Sequence, residues 1–435
     1  MPSSKDIRML AEKTVSAMLI GRKWNSRGVA MAKKRLRNAE KFFKQNAGRL
    51  LSQAQLRFSG LSPSAISEFQ KPDYGPLLSK RGGKFLVRPT IGESVRLRYH
   101  PDNWPLAREI ILAAARKGGH VGWTSDYSAL SRDLMAAKPV EALEDWTRAG
   151  EAMMQAVDVT IYLENEDDPH WKRGLPMVKL KAGQANGQKA HEILDNRKVR
   201  WLYLGWPFAG TARGYGVPAK WFEKMVFASL ADSFTPRTRK LVEFYYAALE
   251  GGDAVRITHA DGSDLSFSIK GRPPLKDAGI MEPDKGDFGL NLPSGESFIS
   301  PLETTANGVI KFDRIHVDGH GFVEGLQLTF KAGRVVSFKA RKNVEHFANY
   351  LKENTDSTRV LAELGIGCNR SAKYSGYILT DEKIAGTIHL AIGNNTGSYH
   401  GKNKASGHLD MVKDMRKGVL WVDGKAVMKN GRPVR

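Results

Sequence analysis

The chain has 435 residues, 41% hydrophobic and 26% charged, with a formal net charge of +21. That length fits two or three domains with a sizeable core, and the composition excludes collagen-like, mucin-like and wholly disordered chains. No apolar run approaches the ~20 residues of a membrane helix, and a lone cysteine, Cys368, excludes a disulfide framework within the chain and points to a reducing, cytoplasmic setting.

The charge is concentrated at the start. Residues 1–60 hold 14 Lys/Arg against Asp6, Glu12 and Glu40, a net of +11. Apolar positions recur at helical spacing over 5–20 and 29–57, so 1–60 is expected to be a basic helical arm. Its basic face is open to three readings: simple solvation, binding of nucleic acid or another anionic surface, or organellar targeting. Residues 61–84, rich in Pro, Gly and Ser, are expected to be a linker.

From residue 85 strands and helices alternate. Strands are expected at 85–87, 94–99, 120–123, 159–163 and 200–204, and helices at 104–117, 221–230 and 236–251. That alternation predicts an N-terminal α/β domain over 85–250 with a largely parallel sheet. Beyond 250 the elements are short strands separated by Gly, Asp and Asn turns, at 254–258, 265–269, 309–312, 325–330 and 334–340. A helix follows at 343–352, and after 361 come Gly-rich loops with one more strand at 387–392. Residues 251–435 are therefore expected to be a C-terminal α+β domain rich in antiparallel strands.

This last third gathers metal-ligand residue types. Glu296, Glu363, His389, His408 and Asp410 lie in Gly-rich context, where loops on a scaffold often carry function. His408 and Asp410, two residues apart on a strand, point to one face. Three carboxylates and two imidazoles exceed one tetrahedral zinc site and suit two divalent ions about 3.5–4 Å apart. The blander alternatives are a core histidine at His389 and a helix-end residue at Glu363.

Four blocks carry a resemblance: Asn291-Leu-Pro-Ser-Gly-Glu296 running on to Pro301, Ala362-Glu363-Leu-Gly-Ile-Gly367 running on to Asn369, Asp381-Glu382-Lys383 through His389 to Gly393, and His408-Leu-Asp410. In these the chain resembles the thermophilic metallo-aminopeptidases of the aminopeptidase T and aminopeptidase S type. The resemblance implies an N-terminal α/β domain, a C-terminal catalytic domain, and a homodimer acting on peptide substrates. It also implies two divalent metal ions (Zn, Co, Mn or Mg) held by Glu296, Glu363, His389, His408 and Asp410. Members carry a tyrosine seven residues after the first histidine. Thr396 stands there in this chain, and Tyr399 lies close by.

The expected activity is removal of N-terminal residues by water activated between two cations, with Glu296 or Glu363 as general base. Lys383 either stabilises the oxyanion or forms a surface ion pair with Glu382. Arg272 is either a substrate clamp or a solvated arginine, and His316, His320 and His400 are expected in exposed loops. Two rival functions share these residues. One is a nucleic-acid-binding protein on an inactive peptidase scaffold, and the other is a metal-dependent amidase acting on small molecules.

Overall fold

Alternating strands and helices build a five-stranded, all-parallel sheet in the order Gly289–Leu292, Arg200–Leu204, Val159–Leu163, Ser94–Tyr99, His120–Ser125. The computed structural model describes residues 93–434, apart from 117–118, 146–147 and 283–286, together with a ribbon pairing Lys80–Arg81 with Lys84–Phe85. The expected arm at 1–60 and most of the linker lie outside the described residues. Val159–Leu163 reads Val-Thr-Ile-Tyr-Leu and is covered on both faces, as an inner strand of a parallel sheet must be. The helix Trp104–Arg116 turns Leu106, Ala107, Ile110, Ala113 and Ala114 toward it at three- and four-residue spacing. The 20-residue helix Met177–Asn196 escapes a periodicity search because it buries only Ala182 and Leu194. The helix Pro236–Leu249 starts where Thr235 Oγ1 accepts from the Thr238 amide at 3.2 Å.

Gly289–Leu292 lies beyond residue 250 in the sequence and yet forms an edge of the parallel sheet. Leu290 and Leu292 are fully enclosed in its core beside Leu202 and Leu204. Four residues later the same segment enters a second sheet. This is five-stranded and antiparallel, ordered His408–Asp414, Thr387–Gly393, Leu361–Gly367, Glu296–Ile299, Leu275–Asp277. An eight-stranded antiparallel sheet completes the second half, with the hairpin Asn307–Val317 and Gly321–Lys331 longer than its expected core. Ile299, Leu364, Ile366, Ile388, Leu390 and Ile392 from the smaller sheet share a core with Ile257, Leu265, Ile310, Phe312, Leu326 and Leu328 from the larger one. The class is thus as expected: a parallel α/β half followed by an antiparallel-rich α+β half.

One expectation needs correction. The segments carrying Glu296 and Glu363, read as Gly-rich turns and loops, are strands of the smaller antiparallel sheet, in the same sheet as the strand expected at 387–392. Their glycines are not turn residues. Gly365 leaves space for the His389 side chain, and Gly367 and Gly393 allow close approach of neighbouring backbone.

Leu290→Ala is expected to cost about 2–5 kcal/mol, as a fully buried leucine does. Because Leu290 ties the second half into the core of the first, urea unfolding should shift in one cooperative transition. A biphasic curve would show that the halves unfold independently.

Candidate metal centre

Side chains alternate along a strand, and cross-strand partners share a face. Glu296 stands opposite Gly367, Gly365 opposite His389, Glu363 and Asp410 each opposite Ala391, and Gly393 opposite His408. This register puts all five expected donors on one face of four neighbouring strands. A bulge between Leu361 and Glu363 is needed for it. The extra residue reverses the alternation, so Leu361 joins Leu364 and Ile366 in the core while Glu363 turns the other way.

Glu363 sits at the middle of the group. Its Oε1 is 3.3 Å from His389 Nε2 and its Oε2 is 3.3 Å from His408 Nε2. Glu296 Oε2 lies 3.5 Å from His389 Nε2, and Asp410 Oδ2 lies 3.4 Å from His408 Nε2. His408 Nδ1 bonds the Asn394 carbonyl at 2.8 Å, which leaves Nε2 toward the carboxylates. Burial alone would raise the Glu363 carboxyl, but the two imidazoles beside it hold it at about 2. Burial would likewise lower His389, and its carboxylate neighbours, Glu363 foremost, bring it up to about 9. These imidazole protons are the ones a divalent cation would displace.

The donor set fits a metal. Glu296 Oε2, His408 Nε2 and Asp410 Oδ1 are buried without a hydrogen-bond partner, a costly state unless a ligand meets them. Glu363, His389 and Asp410 offer ligand atoms within 4.8 Å of one another, and so do Glu296, Glu382 and His389. Glu382 is a donor that the sequence reading treated only as the surface partner of Lys383. Nothing in its spacing signalled more.

Lys383 is fully buried, so the expected surface ion pair is an interior one. Its Nζ bonds Glu296 Oε1 at 2.5 Å and Glu382 Oε1 at 2.6 Å. Burial opposes its charge, but Glu296 and Glu382 outweigh that and hold it protonated. The same burial lifts the Glu382 carboxyl to about 7 against the pull of Lys383. Asp381 fixes the preceding turn by accepting from the amides of Ser375 (2.9 Å) and Gly376 (2.7 Å).

The donor face opens into a cavity of about 910 Å³ at the seam of the two halves. Glu164, Tyr203 and Tyr215 from the parallel half line it, opposite Glu296, Glu363, His408 and Asp410. Tyr377 donates to Glu164 Oε2 at 2.5 Å across that seam. Tyr399 also lines the cavity, with its ring stacked on His408 at 5.1 Å. Thr396, at the expected tyrosine spacing, instead bonds Asn394 Oδ1 at 3.0 Å.

Residues 84–432 match the family of thermophilic metalloproteases, M29. The chain belongs to that family. It is therefore a member of a group of metal-dependent peptide-bond hydrolases. It is 24% identical over 393 residues to aminopeptidase AmpS of Bacillus subtilis, covering 78% of this chain and 93% of that one. It is 27% identical over 168 residues to aminopeptidase PepS of Streptococcus thermophilus, 38% of each chain. Among solved structures, wild-type AmpT from Thermus thermophilus superposes with a TM-score of 0.64 at 21% identity, covering 83% of this chain and 98% of that one. A 2,5-dihydroxypyridine dioxygenase from Pseudomonas putida KT2440 shares the fold at a TM-score of 0.51 and 17% identity, covering 79% and 92%. The fold alone therefore does not decide the chemistry.

Other polar residues of this M29 chain differ from expectation. Arg272 is neither solvated nor free to clamp a substrate. It is buried, its Nη2 bonds both oxygens of Glu303 (2.7 and 2.6 Å), and its Nη1 bonds the His400 carbonyl. With Ser300 Oγ on the Tyr399 carbonyl at 2.9 Å, this fixes the loop that carries Tyr399. His316 ends a strand, packs edge-on against Tyr215 at 4.9 Å, and burial lowers it to about 4. His320 pairs with Glu353 Oε1 at 2.9 Å and is largely enclosed. Neither is an exposed loop histidine.

A methyl group at Gly365 would overlap the imidazole of His389, which lies across it. Gly365→Ala is expected to weaken divalent-metal binding at least tenfold, measured by calorimetry on the metal-stripped protein. Wild-type affinity in this variant would mean that His389 takes no part.

Proposed function

We propose that this chain is a metal-dependent aminopeptidase that releases N-terminal residues from peptides at a site holding two divalent cations. The observation that carries this reading is Glu363 placed between two imidazoles, 3.3 Å from each, within a row of five donors on one sheet face. Glu296 and His389 would serve one cation, with Glu382 in reach. His408 and Asp410 would serve the other, and Glu363 both. When bound, such cations supply Lewis acidity toward the scissile carbonyl and lower the pKa of an attacking water.

The protein's own residues supply the rest. Glu296 or Glu363 carries the proton from water to the leaving amine. Tyr399, on the cavity wall above His408, is placed to donate its hydroxyl to the developing oxyanion. The charge of Lys383 is spent on Glu296 and Glu382, so its role is to offset and position those carboxylates. The homodimer and a cytoplasmic location complete the reading. All five donors are present and converge, which speaks against an inactive scaffold. A small-molecule amidase would use the same centre, and a substrate panel separates the two.

Stripping divalent ions with a chelator should abolish hydrolysis of aminoacyl-p-nitroanilides, and Co²⁺, Mn²⁺ or Zn²⁺ should restore it. Unchanged hydrolysis after stripping would sink the proposal. Metal analysis of the purified protein should return about two equivalents per chain, the count a paired site requires.

Glu363→Gln should lower turnover by about 10²-fold or more while circular dichroism stays unchanged. Compared with Glu296→Gln, the variant that keeps its metal content but loses turnover identifies the proton carrier. A preserved rate in either removes that residue from the chemistry.

A further inference from the structure

We propose that Asp277 is the anchor for the α-ammonium group of the substrate, the contact that restricts hydrolysis to free chain ends. This deepens the aminopeptidase reading and rests on it. Asp277 closes the strand Leu275–Asp277 at the edge of the smaller antiparallel sheet and stands directly opposite Glu296. Its side chain therefore shares the donor face, one strand beyond Glu296 and on the flank away from His408 and Asp410.

The Asp277 carboxyl has no hydrogen-bonded cation: burial raises it well above the usual carboxylate range, and Lys383 acts on it only through its charge. Asp277 is 5% exposed and lines the cavity. Oδ2 accepts one long backbone bond, from the Asn291 amide at 3.2 Å, and Oδ1 has no partner. Glu296 Oε2 and Asp410 Oδ1 on this face also lack a hydrogen bond, but the carboxylates nearest Asp277 each have a cationic partner. Glu296 and Glu382 each bond Lys383, and Glu363 lies between two imidazoles. A buried carboxylate oxygen left unpaired is unfavourable, and an incoming hydrogen-bonding cation removes that cost.

The chemistry of that cation follows from the surroundings. Among the described residues, Asp277 belongs to neither group of side chains whose ligand atoms lie within 4.8 Å of one another. It lacks the convergent donors a further divalent ion needs. A primary ammonium needs no ring of convergent ligands: it brings three N–H donors, of which one meets Asp277 Oδ1 and the others remain for oxygens of the cavity.

The dimensions agree. The amino nitrogen of a residue lies about 2.5 Å from its carbonyl carbon across Cα, and a charge-assisted N–H···O bond spans about 2.8 Å. Together they reach about 5 Å, close to the spacing of adjacent strands, about 4.8 Å. An ammonium seated on Asp277 thus delivers the first carbonyl of the peptide over the Glu296 strand, at the edge of the donor row. An internal peptide bond presents a neutral amide there instead and leaves Asp277 unpaired.

The test uses the full-length, metal-loaded protein and its Asp277→Asn variant. Asparagine keeps the shape and an oxygen for the Asn291 amide, so a merely structural role is preserved. The expected result is a KM for leucine p-nitroanilide raised 30-fold or more, with a much smaller change in kcat and an unchanged metal content. In calorimetry, the wild type should bind leucinol, which has the amine but no scissile amide, at least tenfold more tightly than 4-methylpentan-1-ol, which lacks the amine. Asp277→Asn should abolish that preference. An unchanged KM and an unchanged preference for leucinol overturn the assignment, and so does loss of metal from the variant. A wild type that hydrolyses no aminoacyl substrate with metal bound overturns the aminopeptidase reading itself, and is seen before the variant is made.

Discussion

The centre depends on one constraint, the register of four antiparallel strands whose alternating side chains put five polar donors on one face and an aliphatic core on the other. A slip of one residue in any of these strands would turn its donors into the Ile and Leu core and its core residues into the cavity. The Leu361–Glu363 bulge shows how finely this is set, since ordinary alternation would have placed Glu363 on the same face as Leu361, in the core. Gly365, opposite His389, provides the room that the imidazole occupies above the sheet.

Collecting carboxylates in a buried cavity is unfavourable unless their charge is met. Lys383 does this without any exposure to solvent, and it sits two residues past a short helix, Ile378–Asp381, that is itself pinned by buried hydrogen bonds. Tyr377, at the start of that helix, reaches Glu164 in the parallel half. On the other side, the crossing from Leu292 to Glu296 carries the chain from one sheet to the next. Gly295 makes that crossing at φ 127°, where an added Cβ would press on Thr238 and the Asn369 backbone at 3.0 to 3.1 Å. The two halves are thereby locked around the cavity at two points, the Tyr377–Glu164 bond and the Leu292–Glu296 crossing.

A metalloprotease family and a dioxygenase of the same fold show how much chemistry one scaffold hosts. What distinguishes this chain is the local arrangement: which donors share a face, which carboxylate has a lysine, and which is left open toward the cavity.

The sequence by itself determined the parallel α/β half, because Val159–Leu163 and Arg200–Leu204 are short apolar runs whose character depends only on local composition. It also singled out the five donors, since His, Glu and Asp near glycines stand out in a linear scan, and the His408–Asp410 spacing already fixes a common face on a strand. Only the tertiary structure decided that Gly-rich segments such as Leu361–Gly367 are strands rather than loops, that Lys383 and Arg272 are interior, and that Glu382 and Asp277 face the same cavity. The physical reason is that pairing register, a bulge and burial are relations between segments distant in the chain. Glu296 and Asp277 lie 19 positions apart in number but become neighbours only when their strands pair, and no local pattern of residue types records that pairing.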